Sequence, residues 1–166
     1  MNRANAGGYS GLQILLHWTI AALVFFQLIF GESMSMATRA ARRGTPLDPT
    51  DATLASAHYW IGIAILALVV VRLGVRLTAG APEPQTAGNP LLDKLAHFAH
   101  WLFYALLVAV PVTGLLAVYV SPEFGDIHEL GKPAFIILIA VHVLGALYHQ
   151  FWIKDGTLRR MFVPAR

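Results

Sequence analysis

Seven histidines stand in a chain whose apolar runs should carry none. His128 and His142 lie fourteen residues apart, which at ~100° per residue returns to within about 40° of one helix face and rises about 21 Å along the axis. A single helix can then present two imidazoles at two depths of a ~30 Å hydrocarbon layer. An ionisable ring at that depth is costly unless its nitrogens are used. A lone histidine in a span often does no more than hydrogen-bond a neighbouring helix. Histidines on several spans at matching depths point further, to two planar metal-bearing ligands stacked across the layer, and an iron porphyrin is the ligand that uses imidazole this way.

The surrounding chain bounds that chemistry. With 166 residues, 57% hydrophobic and 13% charged, it is too apolar for an ordinary soluble domain and reads as one integral membrane unit. No cysteine is present, which rules out disulfides, thiolate-held iron–sulfur clusters and covalent C-x-x-C-H haem attachment. Any haem is therefore b-type. No nucleic-acid partner is expected, and the formal charge of +3 matters less than where the cations fall.

Four spans are expected, at about 11–31, 54–76, 95–120 and 128–153, forming an all-α membrane four-helix bundle. The first is too long for a signal-peptide core and opens with Gln13 and His17, so it reads as a retained span. Between spans one and two, Gly44, Pro46 and Pro49 mark an aqueous loop with a short helix around Met36 to Arg43. The second loop, Leu77 to Asp93, is rich in Pro, Gly and Thr, and a short turn through Pro122 and Gly125 precedes span four. A kink is expected at Pro111, and Pro133 raises the prospect that His128 sits on the run-in to the last helix.

Four spans return both termini to one side. Placing that side in the cytoplasm puts Arg3, Arg72, Arg76, Lys94, Lys154, Arg159, Arg160 and Arg166 inside, against Arg39, Arg42, Arg43 and Lys132 outside. The positive-inside rule favours this orientation, and the expected location is the bacterial inner membrane. Depth at ~1.5 Å per residue then pairs His17 with His142 in the inner half and His58 with His128 in the outer half. On depth alone, His100 or His149 could replace His142. His97 and His100, spaced i, i+3, make a poor zinc site without cysteine or a near third ligand. His97, His100 and His149, with Arg72 and Arg76, read better as contacts to haem propionates or a quinone headgroup.

The residues Leu12-Gln13-Ile14-Leu15-Leu16-His17-Trp18, His58-Tyr59-Trp60-Ile61-Gly62, Val70-Val71-Arg72-Leu73, Leu95-Ala96-His97-Phe98-Ala99-His100 and the run from His128 through His142 and His149 to Phe151-Trp152-Ile153-Lys154-Asp155-Gly156-Thr157-Leu158 carry a further signal. Through them nearly the whole chain resembles the bacterial cytochrome b561 family, di-haem four-helix membrane proteins. The resemblance implies two haem b groups, each held by two histidines: His17 and His58 from the first two spans, His128 and His142 from the last. It selects His142 over His100 or His149. It also implies kinship with the haem-bearing subunits of respiratory hydrogenases and formate dehydrogenases, and, in stand-alone members, electron transfer from superoxide to ubiquinone.

The expected function is single-electron transfer between an outer-face donor and membrane ubiquinone, an oxidoreductase activity. For superoxide as donor, Arg39, Arg42, Arg43 and Lys132 would form a positive entrance that raises encounter rates; the competing reading makes them solvated loop charges offset by Glu32, Asp48, Asp51, Glu123 and Asp126. The alternatives are an electron-transfer subunit serving a separate dehydrogenase or hydrogenase as redox partner protein, and a haem-free bundle whose histidines relay protons.

Overall fold

The computed structural model describes residues 8–80, 82 and 90–165. Arg3 and Arg166, counted above among the inner cations, and positions 81 and 83–89 of the second loop lie outside the described residues. The elements are all helical: α1 (Gly11–Phe30), α2 (Glu32–Arg43), α3 (Pro49–Ala79), α4 (Pro90–Tyr119), α5 (Phe124–Glu129) and α6 (Gly131–Tyr148), followed by a π-helical turn at His149–Ile153 and a 3₁₀ turn at Arg159–Met161. Among the described residues, four segments are long and apolar enough to cross a membrane: Gly11–Phe30, Pro49–Ala79, Pro90–Tyr119 and Phe124–Ile153.

Local chemistry sets the ends. Ser10 caps α1 by accepting the Gln13 N–H, while the Gln13 amide oxygen accepts the Ser10 N–H, the reciprocal arrangement of a capping box. Asp48 accepts the Thr50 N–H at 2.8 Å and Pro49 takes the first helical position, where its missing donor costs nothing. This is why α3 starts at Pro49, five residues before the expected boundary at Leu54. The loop helix is also longer than expected, filling Glu32–Arg43 and stopping at Gly44 with φ 63°.

The last span is broken where Pro133 predicts. Pro133 can neither donate to the Glu129 carbonyl nor avoid crowding it, and α5 ends at Glu129 with α6 beginning at Gly131. His128 therefore sits on a helix of its own, and the expected turn is shorter than Pro122 to Gly125, since α5 begins at Phe124 and takes in Gly125. By contrast α4 runs uninterrupted through Pro111.

The buried cluster Ile20, Val24, Ile65, Val69, Tyr104, Leu107 and Phe135 joins α1, α3, α4 and α6. Large side chains such as Phe25, Ile29, Val70 and Leu144 face outward. In lipid these outward groups are already solvated, so the cluster contributes packing rather than escape from water. α3 packs on α1, α2 and α4, and α6 packs on α4 and α5, but α6 scarcely meets the backbone of α1 or α3. At one end of the bundle α2 lies across the others, tied by Ser33 Oγ to Asp51 (2.8 Å) and Ser35 Oγ to Glu129 (3.2 Å). At the opposite, termini end Tyr9 and Ala165 meet, the Ala165 N–H donating to the Tyr9 carbonyl at 3.0 Å.

Candidate cofactor sites: two imidazole pairs

Two pairs of rings face each other across the gap that α6 leaves beside α1 and α3. At the α2 end, His58 of α3 and His128 of α5 have ring centroids 5.9 Å apart. At the termini end, His17 of α1 and His142 of α6 stand 6.4 Å apart. The apolar cluster fills the space between the two levels: Ile20 and Val24 follow His17 on α1, Ile65 and Val69 follow His58 on α3, and Phe135 lies between His128 and His142.

These separations suit a shared metal. Two imidazoles on opposite sides of one ion, at bonds of about 2.0 Å as in zinc–imidazole sites, have centroids about 6 Å apart. A ligating histidine also hands its other ring N–H to an acceptor. His128 Nδ1 donates to the Val110 carbonyl at 2.8 Å, leaving Nε2 for the metal. That carbonyl also receives the Thr113 hydroxyl at 2.8 Å. The ring fits because residue 114 is glycine: a Cβ there would lie 3.0 Å from both Cε1 and Nδ1 of His128. His58 Nδ1 is buried without a hydrogen-bond partner.

The termini-end pair is surrounded differently. Arg72 of α3 donates to the Gln13 carbonyl and to His17 Nδ1, each at 3.3 Å. A His17 bound to metal through Nε2 carries a proton at Nδ1 and has no lone pair there for a guanidinium, so Arg72 must turn to another acceptor. A propionate carboxylate is the acceptor that haem itself brings. Gln13 Nε2 donates to the Gly80 carbonyl at 2.8 Å, locking the start of α1 to the end of α3. The fit to two b-type haems is thus good at both levels, in donor set, ring spacing and free nitrogens.

The remaining sequence-predicted residues separate clearly. His100 joins the termini-end pair, its ring 5.7 Å from His142, with Nδ1 donating to the Ala96 carbonyl at 2.6 Å. Arg76 lies 5.8 Å from the ring centroids of both Trp101 and Tyr104. His97 is exposed and bonds the Asp93 carbonyl of its own helix. His149 pairs with Asp155 beyond the π-helical turn. Burial would raise the Asp155 carboxyl, but hydrogen bonds from His149 and Thr157 outweigh it and hold the group below its ordinary value. Arg39 and Arg43 line a cleft on α2 together with Asp48 and Asp51, and Arg39 also pairs with Glu32 at 3.7 Å. Neither Arg42 nor Lys132 lines that cleft.

Sequence reasoning passed over two contributors. Gly114 gave no signal apart from its fold context. Gln27 did give one, as an amide ten residues after His17 in an otherwise apolar run.

The sequence model of prokaryotic cytochrome b561 matches residues 8–164. The chain belongs to the prokaryotic cytochrome b561 family. It is 39% identical over 158 residues to a cytochrome b562 of Cereibacter sphaeroides, covering 95% of this chain and 96% of that one. A probable superoxide oxidase, CybB, of Yersinia pestis is 30% identical over 180 residues, covering 95% and 97%. Cytochrome b561 homolog 1 of Escherichia coli is 25% identical over 181 residues, covering 95% and 98%. Cytochrome b561 membership and the four apolar helices make this a multi-pass bacterial membrane cytochrome that carries b-type haem and transfers electrons.

Proposed function

We propose that this cytochrome b561 carries single electrons from a donor at the α2 end, taken as the outer face of the inner membrane, to ubiquinone, with superoxide as the donor. His58 with His128 and His17 with His142 would each hold one haem b. The observation that carries the reading is the pair of imidazole pairs, 5.9 and 6.4 Å between centroids, at two levels separated by an apolar cluster.

When bound, each haem supplies a one-electron iron couple whose potential its protein surroundings tune. With two histidines holding each haem, no open position would be left for oxygen, and the chemistry supplied there would be outer-sphere electron transfer. The Val110 carbonyl holds His128 Nδ1, so Nε2 would be the nitrogen left to hold the metal. Arg72 and Arg76 supply positive charge at the inner level, suited to propionates or a quinone oxygen, and His100 stands beside His142 as a proton-bearing neighbour. Arg39 and Arg43 on the α2 cleft raise the encounter rate with a small anion, and the probable superoxide oxidase among the relatives supports that choice of donor. The balance is two superoxide ions giving one electron each and leaving as dioxygen, while one quinone takes two electrons and two protons to become quinol.

The test is the haem-to-protein ratio of the purified chain. Two haems are expected in the wild type, and one in each of His58→Ala, His128→Ala, His17→Ala and His142→Ala. His100→Ala should keep both. A wild-type ratio of one, or a haem lost from His100→Ala in place of His142→Ala, overturns the assignment.

A further inference from the structure

Gln27 lies directly against His58. Its Nε2 donates to the His58 carbonyl at 2.8 Å, so the amide reaches across from α1 to the backbone of α3 at the histidine itself. Two polar atoms are shut away there with no hydrogen-bond partner: the Gln27 amide oxygen, Oε1, and the His58 ring nitrogen, Nδ1. Two glycines line the approach at ordinary contact distance. A Cβ on Gly31 would lie 3.5 Å from Cε1 and Nδ1 of His58, and one on Gly62 would lie 3.5 Å from Gln27 Nε2. The Nδ1 edge of His58 therefore faces the last turn of α1, where Gln27 sits.

The chemistry of the two orphans is complementary. A carboxamide oxygen only accepts, and an imidazole bound to metal through Nε2 has only an N–H to offer at Nδ1. A buried donor left without an acceptor is penalised far more than a paired one is rewarded. Resting on the assignment of His58 as an axial ligand, we propose that Gln27 is a positioning residue for the outer haem: Oε1 takes the His58 Nδ1–H, fixing the ring and setting the strength of that ligand. At His128 the same role falls to a backbone carbonyl, that of Val110, which no substitution removes. At His58 it falls to a side chain, so the potential of the outer site is open to adjustment at one position.

A stronger acceptor on the N–H makes the imidazole more basic and favours the oxidised iron, whereas loss of the acceptor favours the reduced iron. The experiment uses the full-length, haem-loaded chain with Gln27→Leu and Gln27→Glu. Midpoint potentials are read by spectroelectrochemical titration and the low-spin signals by electron paramagnetic resonance. His128→Ala identifies which signal belongs to the outer haem. The expected result is a rise in the outer midpoint for Q27L, a fall for Q27E, and no change at the inner site. Both variants lose the donor to the His58 carbonyl, so a purely structural role would move both potentials the same way, and that outcome overturns the proposal. An outer midpoint unchanged in both also overturns it. Loss of the outer haem from Q27L with retention in Q27E supports it, and loss from both overturns it. Fewer than two haems in the wild type would instead bring down the underlying assignment.

Discussion

The two histidine pairs are alike in spacing and unlike in everything around them. The pair at the α2 end, taken as the outer one, has neutral, short-range contacts: the Val110 carbonyl on the His128 ring, the Gln27 amide on the His58 backbone carbonyl, and Gly114 where the His128 ring presses against α4. The inner pair lies among charged and titratable groups, with Arg72 against His17, His100 against His142, and Arg76 over the neighbouring aromatic rings. Close steric contact marks the first pair and nearby charge the second. Fixed cations within a low-dielectric layer favour the reduced state of a nearby metal, so the inner site is expected to hold the higher potential. That gradient would drive electrons away from the outer face.

The contrast is broken most severely by Gly114→Val, which drives a branched side chain into the space of the His128 ring, where even a Cβ lies 3.0 Å away. One haem per chain is expected, the inner one, as read by the haem-to-protein ratio. Retention of both would mean that the His128 ring is not held by this contact. A smaller effect is expected from Arg72→Leu, which removes the cation beside His17. The inner midpoint should fall while the outer stays fixed, and an unmoved inner midpoint in a redox titration would remove the electrostatic half of the comparison.

The smallest effect concerns the end of the chain behind the inner pair. Asp155 is held below its ordinary value in the folded protein, so its contribution is present above the unfolded carboxylate pKa and is lost as pH falls through the lowered one. The tail after His149 should become more sensitive to protease in that acidic window and not at neutral pH. In Asp155→Asn the sensitivity should be high at both, and digestion followed by mass spectrometry reads it directly.

Much of this arrangement is legible in the chain. The charge-free runs that form the spans and the prospect of a break at Pro133 are read from residue chemistry acting over a few positions, whereas α3 starts at Pro49, which composition marks as loop. The α2 helix is longer than its loop composition suggested because contacts of Ser33 with Asp51 and Ser35 with Glu129 hold its first turn against α3 and α5. His149 looked equivalent to His142 by depth, yet its ring goes to Asp155, because the π-helical turn and a left-handed Lys154 (φ 58°) carry Asp155 back towards it. Gly114 and Gln27 were silent or faint because their meaning lies in which ring each one meets across a helix interface.

By itself the sequence determined that this chain is helical and membrane-spanning, that any haem must be non-covalent, and which histidines were available to hold it. Composition and periodicity act locally, and lipid leaves the backbone few other choices. Tertiary structure alone decided that His100 stands with the inner pair while His149 does not, and that the His128 ring donates to a backbone carbonyl while the Gln27 amide meets His58 at its backbone. Those outcomes depend on how far apart α6 and its neighbours stand, and no local stretch of residues encodes a distance between helices.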